Sequence, residues 1–231
     1  MAATSTTGAA AMGAASSSAA VAPRELAADD PAAEAYAWRD GQLPALHDAS
    51  RRGDTPAVTA MLRDGAPAGT LSDQGDTALH WAAAGGHVSV MEALLATKAD
   101  GNVGCDWTRI KTAWRPLHGA ANCGHVPAIR ELLKAGVDVH AKTNDGSTAL
   151  HEAGHSGRAE AVDALLAAGA DVHAKTNDGS TALHGAGRSG RAEAVDALLA
   201  AGADVHAKTN DGSTALHEAG HSGREIGRAH V

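Results

Sequence analysis

The chain has 231 residues, a net charge of -8 and 44% hydrophobic residues, yet it has no Phe and one Tyr, and Ala makes up about a quarter of it. An aromatic-centred core is excluded, and because Ala covers little area, many small layers are favoured over one large core. The acidic balance argues against nonspecific nucleic-acid binding, which needs clustered Lys and Arg, and no apolar run reaches the roughly 20 residues of a membrane span.

In chain order, residues 1–39 read as a low-complexity tail. Met1 to Ala22 hold Ala, Ser, Thr and Gly with neither charge nor strong hydrophobes, too little apolar area to fold, so disorder is expected. No apolar h-region for secretion is present. The segment is Ser-rich and acid-poor like a plastid transit peptide, but its first basic residue is Arg24, and the reading taken here is a plain tail. From residue 40 to 224 the chain repeats itself. Leu46-His47, Leu79-His80, Leu117-His118, Leu150-His151, Leu183-His184 and Leu216-His217 stand 33, 38, 33, 33 and 33 residues apart. This gives five units and a partial sixth. The first unit is polar (His47, Asp48, Ser50, Arg51, Arg52), as suits an N-terminal cap.

The 38-residue step carries an insertion near 101–113. Around it, Cys105 to Arg115 hold Trp107 and Trp114, the bases Arg109, Lys111 and Arg115, and one of the two Cys. Trp and Arg are common interface anchors. One reading makes Trp107, Arg109 and Trp114, with Trp81 one unit earlier, a protein-binding hot spot. The other lays these rings over the stack as packing. Cys105 and Cys123 imply no disulfide framework, so free thiols in a reducing compartment, cytoplasmic or nuclear, are expected.

The clearest unit runs from Asp145 to Asn177. Asp178 to Asn210 repeats it with only Glu152→Gly185 and His155→Arg188 changed. Thr148 is placed to cap a first helix, Ala149 to Ser156, with its hydroxyl, and Gly157 ends it. A second helix, Ala159 to Ala168, puts Val162, Leu165 and Leu166 on one face and Glu160 and Asp163 in water. Gly169 suits a left-handed cap. Asp171 to Ala174 reads as extended, and Asn177-Asp178-Gly179 as a β-turn or hairpin. Helix pairs so poor in large residues bury their apolar face only by stacking on neighbours.

The period of 33, Thr148-Ala149-Leu150-His151 and Gly169-Ala170-Asp171-Val172 with the turn after it resemble the ankyrin repeat. The resemblance covers residues 40–224 and implies an all-α solenoid in which each unit is helix, turn, helix and β-hairpin loop. Departures are the Pro of the family's turn, kept only at Pro116, and Gly154, Gly187 and Gly220 in place of a first-helix Ala. A mid-helix Gly costs about 1 kcal/mol, and with small Ala161 and Ala164 behind it the identical repeats are expected to be marginal. The family commonly docks partners on the face formed by hairpin tips and first helices. Matching positions here are Lys142, Thr143, Ser147, Glu152 and His155, then Lys175, Thr176, Ser180 and Arg188. The resemblance therefore implies noncatalytic protein binding by a monomer, with no cofactor, metal, nucleic acid or membrane involved. The alternative it allows is the recruiting arm of a larger enzyme.

His151-Glu152-Ala153-Gly154-His155 matches the HExxH zinc motif. However, the next unit has His184-Gly185-Ala186-Gly187-Arg188, no third ligand stands at a metzincin-like spacing, and the resemblance makes His151 a turn-stabilising residue. No catalytic constellation is assigned. A second ladder, His140, His173 and His206, cannot share an ion, since packed helical layers lie roughly 8–10 Å apart and zinc ligands lie about 2.1 Å from the metal. The fourteen histidines would move the charge from -8 to -8 + 14 = +6 if all were protonated, which raises pH sensing as an option; solvated loop positions are the alternative. After Arg224 the repeat stops, and residues 225–231 resemble the translation of a sequencing-adapter oligonucleotide. The natural chain is therefore expected to continue, and the Leu198 and Leu199 layer to be partly uncovered.

Overall fold

The computed structural model describes residues 45–72, 75–104 and 113–221. The tail 1–39, Cys105, Trp107, Arg109 and residues 225–231 lie outside these. Among the described residues the elements are α1 (Ala45–Arg51), α2 (Thr55–Arg63), α3 (Ala78–Ala84), α4 (Val88–Ala96), α5 (Pro116–Cys123) and α6 (Val126–Lys134). They continue as α7 (Ala149–His155), α8 (Ala159–Ala167), α9 (Ala182–Ser189), α10 (Ala192–Ala200) and α11 (Ala215–His221). The odd-numbered helices stack on one another in chain order, and the even-numbered helices from α2 to α10 form a second layer behind them. Between the layers run fully buried leucines, one or two per unit: Leu79, Leu94, Leu117, Leu132, Leu150 and Leu165 among them. The architecture is the all-α solenoid of helix pairs that the 33-residue period implies.

Local chemistry sets the boundaries. The first helix of the unit stops one residue earlier than read, at His155, with Ser156 as its cap. Gly157 then turns the chain at φ +71°. The second helix likewise ends at Ala167, and Gly169 follows at φ +90°. The link beyond it differs from the expected extended hairpin. At Asp171–Ala174 the chain turns instead, because the Asp171 carboxylate accepts the His173 N–H at 2.9 Å and the Asp171 carbonyl accepts the Ala174 N–H at 3.1 Å. Short Asp side chains favour such local turns over ladders. At the tip, Thr143 N–H donates to the Ser147 carbonyl at 2.9 Å around Gly146, whose φ of +86° suits glycine.

A Thr–His pair forms the cap at the start of α3, α7, α9 and α11, and Arg115 with His118 does so at α5. Thr148 N–H donates to His151 Nδ1 at 3.2 Å, and the Thr148 hydroxyl lies 2.9 Å from the same nitrogen. A backbone N–H only donates, so Nδ1 holds the lone pair and Nε2 carries the proton. Nε2 points to the Ser180 carbonyl of the next unit at 3.2 Å. The same arrangement occurs at His80 with the Trp114 carbonyl, His118 with Ala141 and His184 with Ser213. Each imidazole therefore fixes its own helix start and ties it to the following unit.

Gly154 and Gly187 have a packing reason that propensity does not show. A Cβ at Gly154 would lie 2.8 Å from the Ala182 carbonyl oxygen, and one at Gly187 would lie 2.7 Å from that of Ala215. The successive first helices approach more closely than a methyl permits, and this closer packing offsets the helix-propensity cost.

The open end is also placed differently from expectation. Leu198 is 0% exposed, because it faces inward between the two layers like Leu165 one unit earlier, and Leu199 is half-buried. The uncovered residue is Leu216 on α11, 73% exposed where Leu183 is 3%. Among the described residues α11 has neither a second helix behind it nor a following first helix beside it, whereas α9 is flanked by both.

Candidate functional site

Two consecutive tips and the two first helices after them enclose a groove of about 580 Å³, lined by Asp145, Ser147, His151, Glu152 and His155 from one unit. Across the groove stand Thr176 and Asn177 at the end of that unit and Asp178, Ser180, Thr181, Gly185 and Arg188 of the next. Six of the site positions read from the sequence meet here: Ser147, Glu152, His155, Thr176, Ser180 and Arg188.

The tip carboxylates are held by flanking hydroxyls. Thr143 donates to Asp145, and Ser147 Oγ donates to it at 2.9 Å. Burial pushes the Asp145 carboxyl up, but these hydrogen bonds and the Ser147 N–H together outweigh it and leave it below the ordinary carboxylate value. Asp178 is held in the same way, chiefly by Thr176 and then by Ser180. Glu152, on α7, is the opposite case. Its carboxyl is half-buried in the groove, and burial together with the nearby Asp145 charge pushes it up to about 7. At the other end of α7, His155 Nδ1 lies 3.1 Å from the Ser189 hydroxyl, and burial, then the Arg188 and Arg191 guanidiniums, lower its pKa. Gly185 packs against the start of this residue: a Cβ there would lie 3.4 Å from His155 Cβ and 3.5 Å from its Cα.

A family model described as "Ankyrin repeats (3 copies)" matches residues 46–143, 100–176, 117–209 and 168–229, together most of the chain. The chain belongs to the ankyrin-repeat family. Ankyrin repeats are generally protein–protein interaction modules and are typically non-catalytic. Among curated proteins, the chain is 34% identical over 113 residues to SH3 and multiple ankyrin repeat domains protein 2 of Homo sapiens, covering 48% of this chain and 6% of that protein. It is 34% identical over 109 residues to the RelA-associated inhibitor of Mus musculus, covering 47% of this chain and 13% of that one. A third relative, Ankyrin repeat and KH domain-containing protein 1 of Homo sapiens, is 37% identical over 75 residues, 32% of this chain and 3% of the relative. The chain thus spans a small part of each relative's length.

Within this ankyrin stack, other sequence-read site residues lie elsewhere. Trp81 is 2% exposed, so its ring packs inside the stack and offers no surface. It occupies the repeat position of Glu152, which Gly119 and Gly185 also hold, so a buried indole stands in one unit where a half-buried carboxylate stands in another. Trp114 is half-buried, its ring centroid 6.2 Å from that of His118. Thr143 is 6% exposed and serves the tip turn. Lys142 and Lys175 are exposed, but each Nζ donates to a carbonyl one unit on, Lys175 at 3.1 Å and Lys208 at 3.2 Å. Conversely, Asp145, Asp178 and Gly185 line the groove and were not selected as site residues. The recoverable signal was Thr, Asp and Ser at alternate positions, as at Thr143, Asp145 and Ser147: two hydroxyls that orient a carboxylate.

The zinc reading of the His151–His155 motif meets a geometric obstacle. His151 is 7% exposed, its Nδ1 accepts from Thr148, and its Nε2 is committed to Ser180. No lone pair is left for a metal. Among the described residues no helix is long and apolar enough to cross a membrane.

Glu152 carries a stability consequence. Its folded pKa lies above the ordinary 4.5, so the folded state binds the extra proton between 4.5 and about 7, and ionisation across that window weakens the fold. Glu152→Gln is expected to stabilise the protein by about 1 kcal/mol at about pH 8, the figure being reduced for partial exposure, with no gain at about pH 4. Urea unfolding at the two pH values checks this, and equal stability of the two proteins at the higher pH would contradict it.

Proposed function

We propose that the chain is a noncatalytic scaffold that takes a segment of a partner protein into the groove between the Asp145 and Asp178 tips and the helices α7 and α9. One observation carries this reading. The stretches Asp145–Asn177 and Asp178–Asn210 differ at two positions only, and all four residues concerned, Glu152, Gly185, His155 and Arg188, line this one groove. Both changes in an otherwise duplicated unit fall on this groove. The retained Glu152, which opposes folding at neutral pH, supports the same reading, since stability is commonly given up at binding sites. The earlier unit supplies a blocking variant, because Trp81 already fills the corresponding position there.

The experiment is a selection of displayed random peptides on the whole protein, followed by binding of the enriched peptides to Glu152→Trp. The expected result is a loss of about tenfold or more, the scale of 1.4 kcal/mol, with the thermal midpoint kept. Peptides that bind Glu152→Trp as tightly as the parent, or failure of any peptide to enrich, would overturn the proposal.

A further inference from the structure

The groove has an electrical direction. Along the path from tip to helix end, the first unit presents Asp145, then Glu152, then His155, and the second presents Asp178, then Gly185, then Arg188. The acids therefore gather at the tip side and the guanidinium stands at the helix side. Asp145 and Glu152 are close enough for their charges to oppose each other, yet no cation of the groove lies between them. Arg188 is exposed, and among the described residues its guanidinium makes no hydrogen bond or ion pair. His151 adds no charge, since both its nitrogens are committed to neutral hydrogen bonds. Neither charged end is satisfied by the other within the fold.

From this, and resting on the docking reading above, we infer that the groove's partner is an extended segment bearing a Lys or Arg side chain toward Asp145 and Glu152 and an Asp or Glu side chain on Arg188. The spacing follows from geometry. Glu152 and His155, like Gly185 and Arg188, are three residues apart on a helix, a rise of about 4.5 Å, and the Arg side chain reaches further along the groove. An extended segment advances about 6.6 Å in two residues, and side chains two apart lie on one face. The base and the acid of the partner are therefore two positions apart, with the base on the side of the tips.

The test uses three capped peptides in the whole protein, followed through its backbone amide resonances. The first is acetyl-Gly-Ser-Lys-Ser-Glu-Ser-Gly-amide; in the second both charged residues are Gln, and in the third both are Glu. The first peptide is expected to move the amides of Glu152, His155, Gly185 and Arg188 saturably and to bind about fivefold more tightly than either other peptide, the ratio of a single partly exposed ion pair. Glu152→Gln should reduce the preference over both other peptides, and Arg188→Gln the preference over the Gln peptide, with the thermal midpoint unchanged or raised in each. Equal binding of the Gln peptide, tighter binding of the Glu peptide, or no groove amide moved at millimolar concentration would overturn the inference. The two proposals fail separately. If display-selected peptides dock in the groove but carry no base and acid two residues apart, the docking reading stands and this one falls; if none docks there, both fall.

Discussion

Between about pH 7.5 and about pH 5.5 the protein is expected to lose about 2–3 kcal/mol more unfolding free energy than a variant with His80→Gln and His118→Gln. These two imidazoles are 3% and 0% exposed. Burial, the largest cause in both, lowers each from 6.5 to about 4. The unfolded chain therefore binds protons below 6.5 that the folded chain refuses until about 4. Stability from the neutral imidazoles is complete above 6.5 and is lost as the pH falls through that window, about 1 kcal/mol per residue by the lower of the two pH values. The geometry agrees, because a protonated ring would aim a second N–H at the backbone donor of Thr77 or Arg115, 3.1 Å from Nδ1 in each case. Gln is the chosen replacement since its amide both accepts and donates without titrating. Glu152 and Asp76, whose carboxyls are both raised first of all by burial, act in the opposite sense, and comparing the two proteins removes them from the difference. Urea unfolding of both proteins at the two pH values measures it, and parallel behaviour would refute the assignment. Acid sensitivity of this kind arises from a few capped imidazoles. The exposed His140, His173 and His206 are not required for it.

The legible part of this chain was whatever a single unit encodes by itself. Leu-His spacing gave the period, Gly169 and Gly179 sit at the positive φ their turns need, and the apolar positions Val162 and Leu165 are fully buried. Relations between units were harder to read. Trp81 resembles an interface anchor in composition, but the stack buries it to 2% exposure. Gly154 looked like a helix defect until the Ala182 carbonyl of the next helix came within reach. Lys142 reads as a free surface cation, and the carbonyl it binds is Lys175 O, 33 residues on. The groove itself was half visible. Matching positions identified Glu152, His155 and Arg188, whereas Asp145 was named only as the first residue of a unit, because its effect on Glu152 acts through space.

Leu183→Ala is expected to lower the unfolding free energy by about 3 kcal/mol, and the same change at Leu216 by less than about 0.5 kcal/mol. The two residues hold the same place in identical Thr-Ala-Leu-His turns, so local propensity and turn chemistry cancel in the comparison. What differs is cover. Leu183 is 3% exposed between α9 and the helices packed around it, like Leu150 and Leu117 at 1%, whereas Leu216 is 73% exposed. Removing the Leu183 side chain leaves a cavity that small Ala neighbours cannot fill, so the lost transfer energy and the cavity term add. At Leu216 the side chain already lies in water, and its removal sacrifices little buried area. Because each unit contacts only its neighbours, the Leu183 loss also weakens the coupling of α11 to the rest of the stack. Hydrogen exchange of the amides of α11 should therefore quicken in Leu183→Ala and not in Leu216→Ala. Equal losses for the two variants in urea would mean that Leu216 is covered in solution.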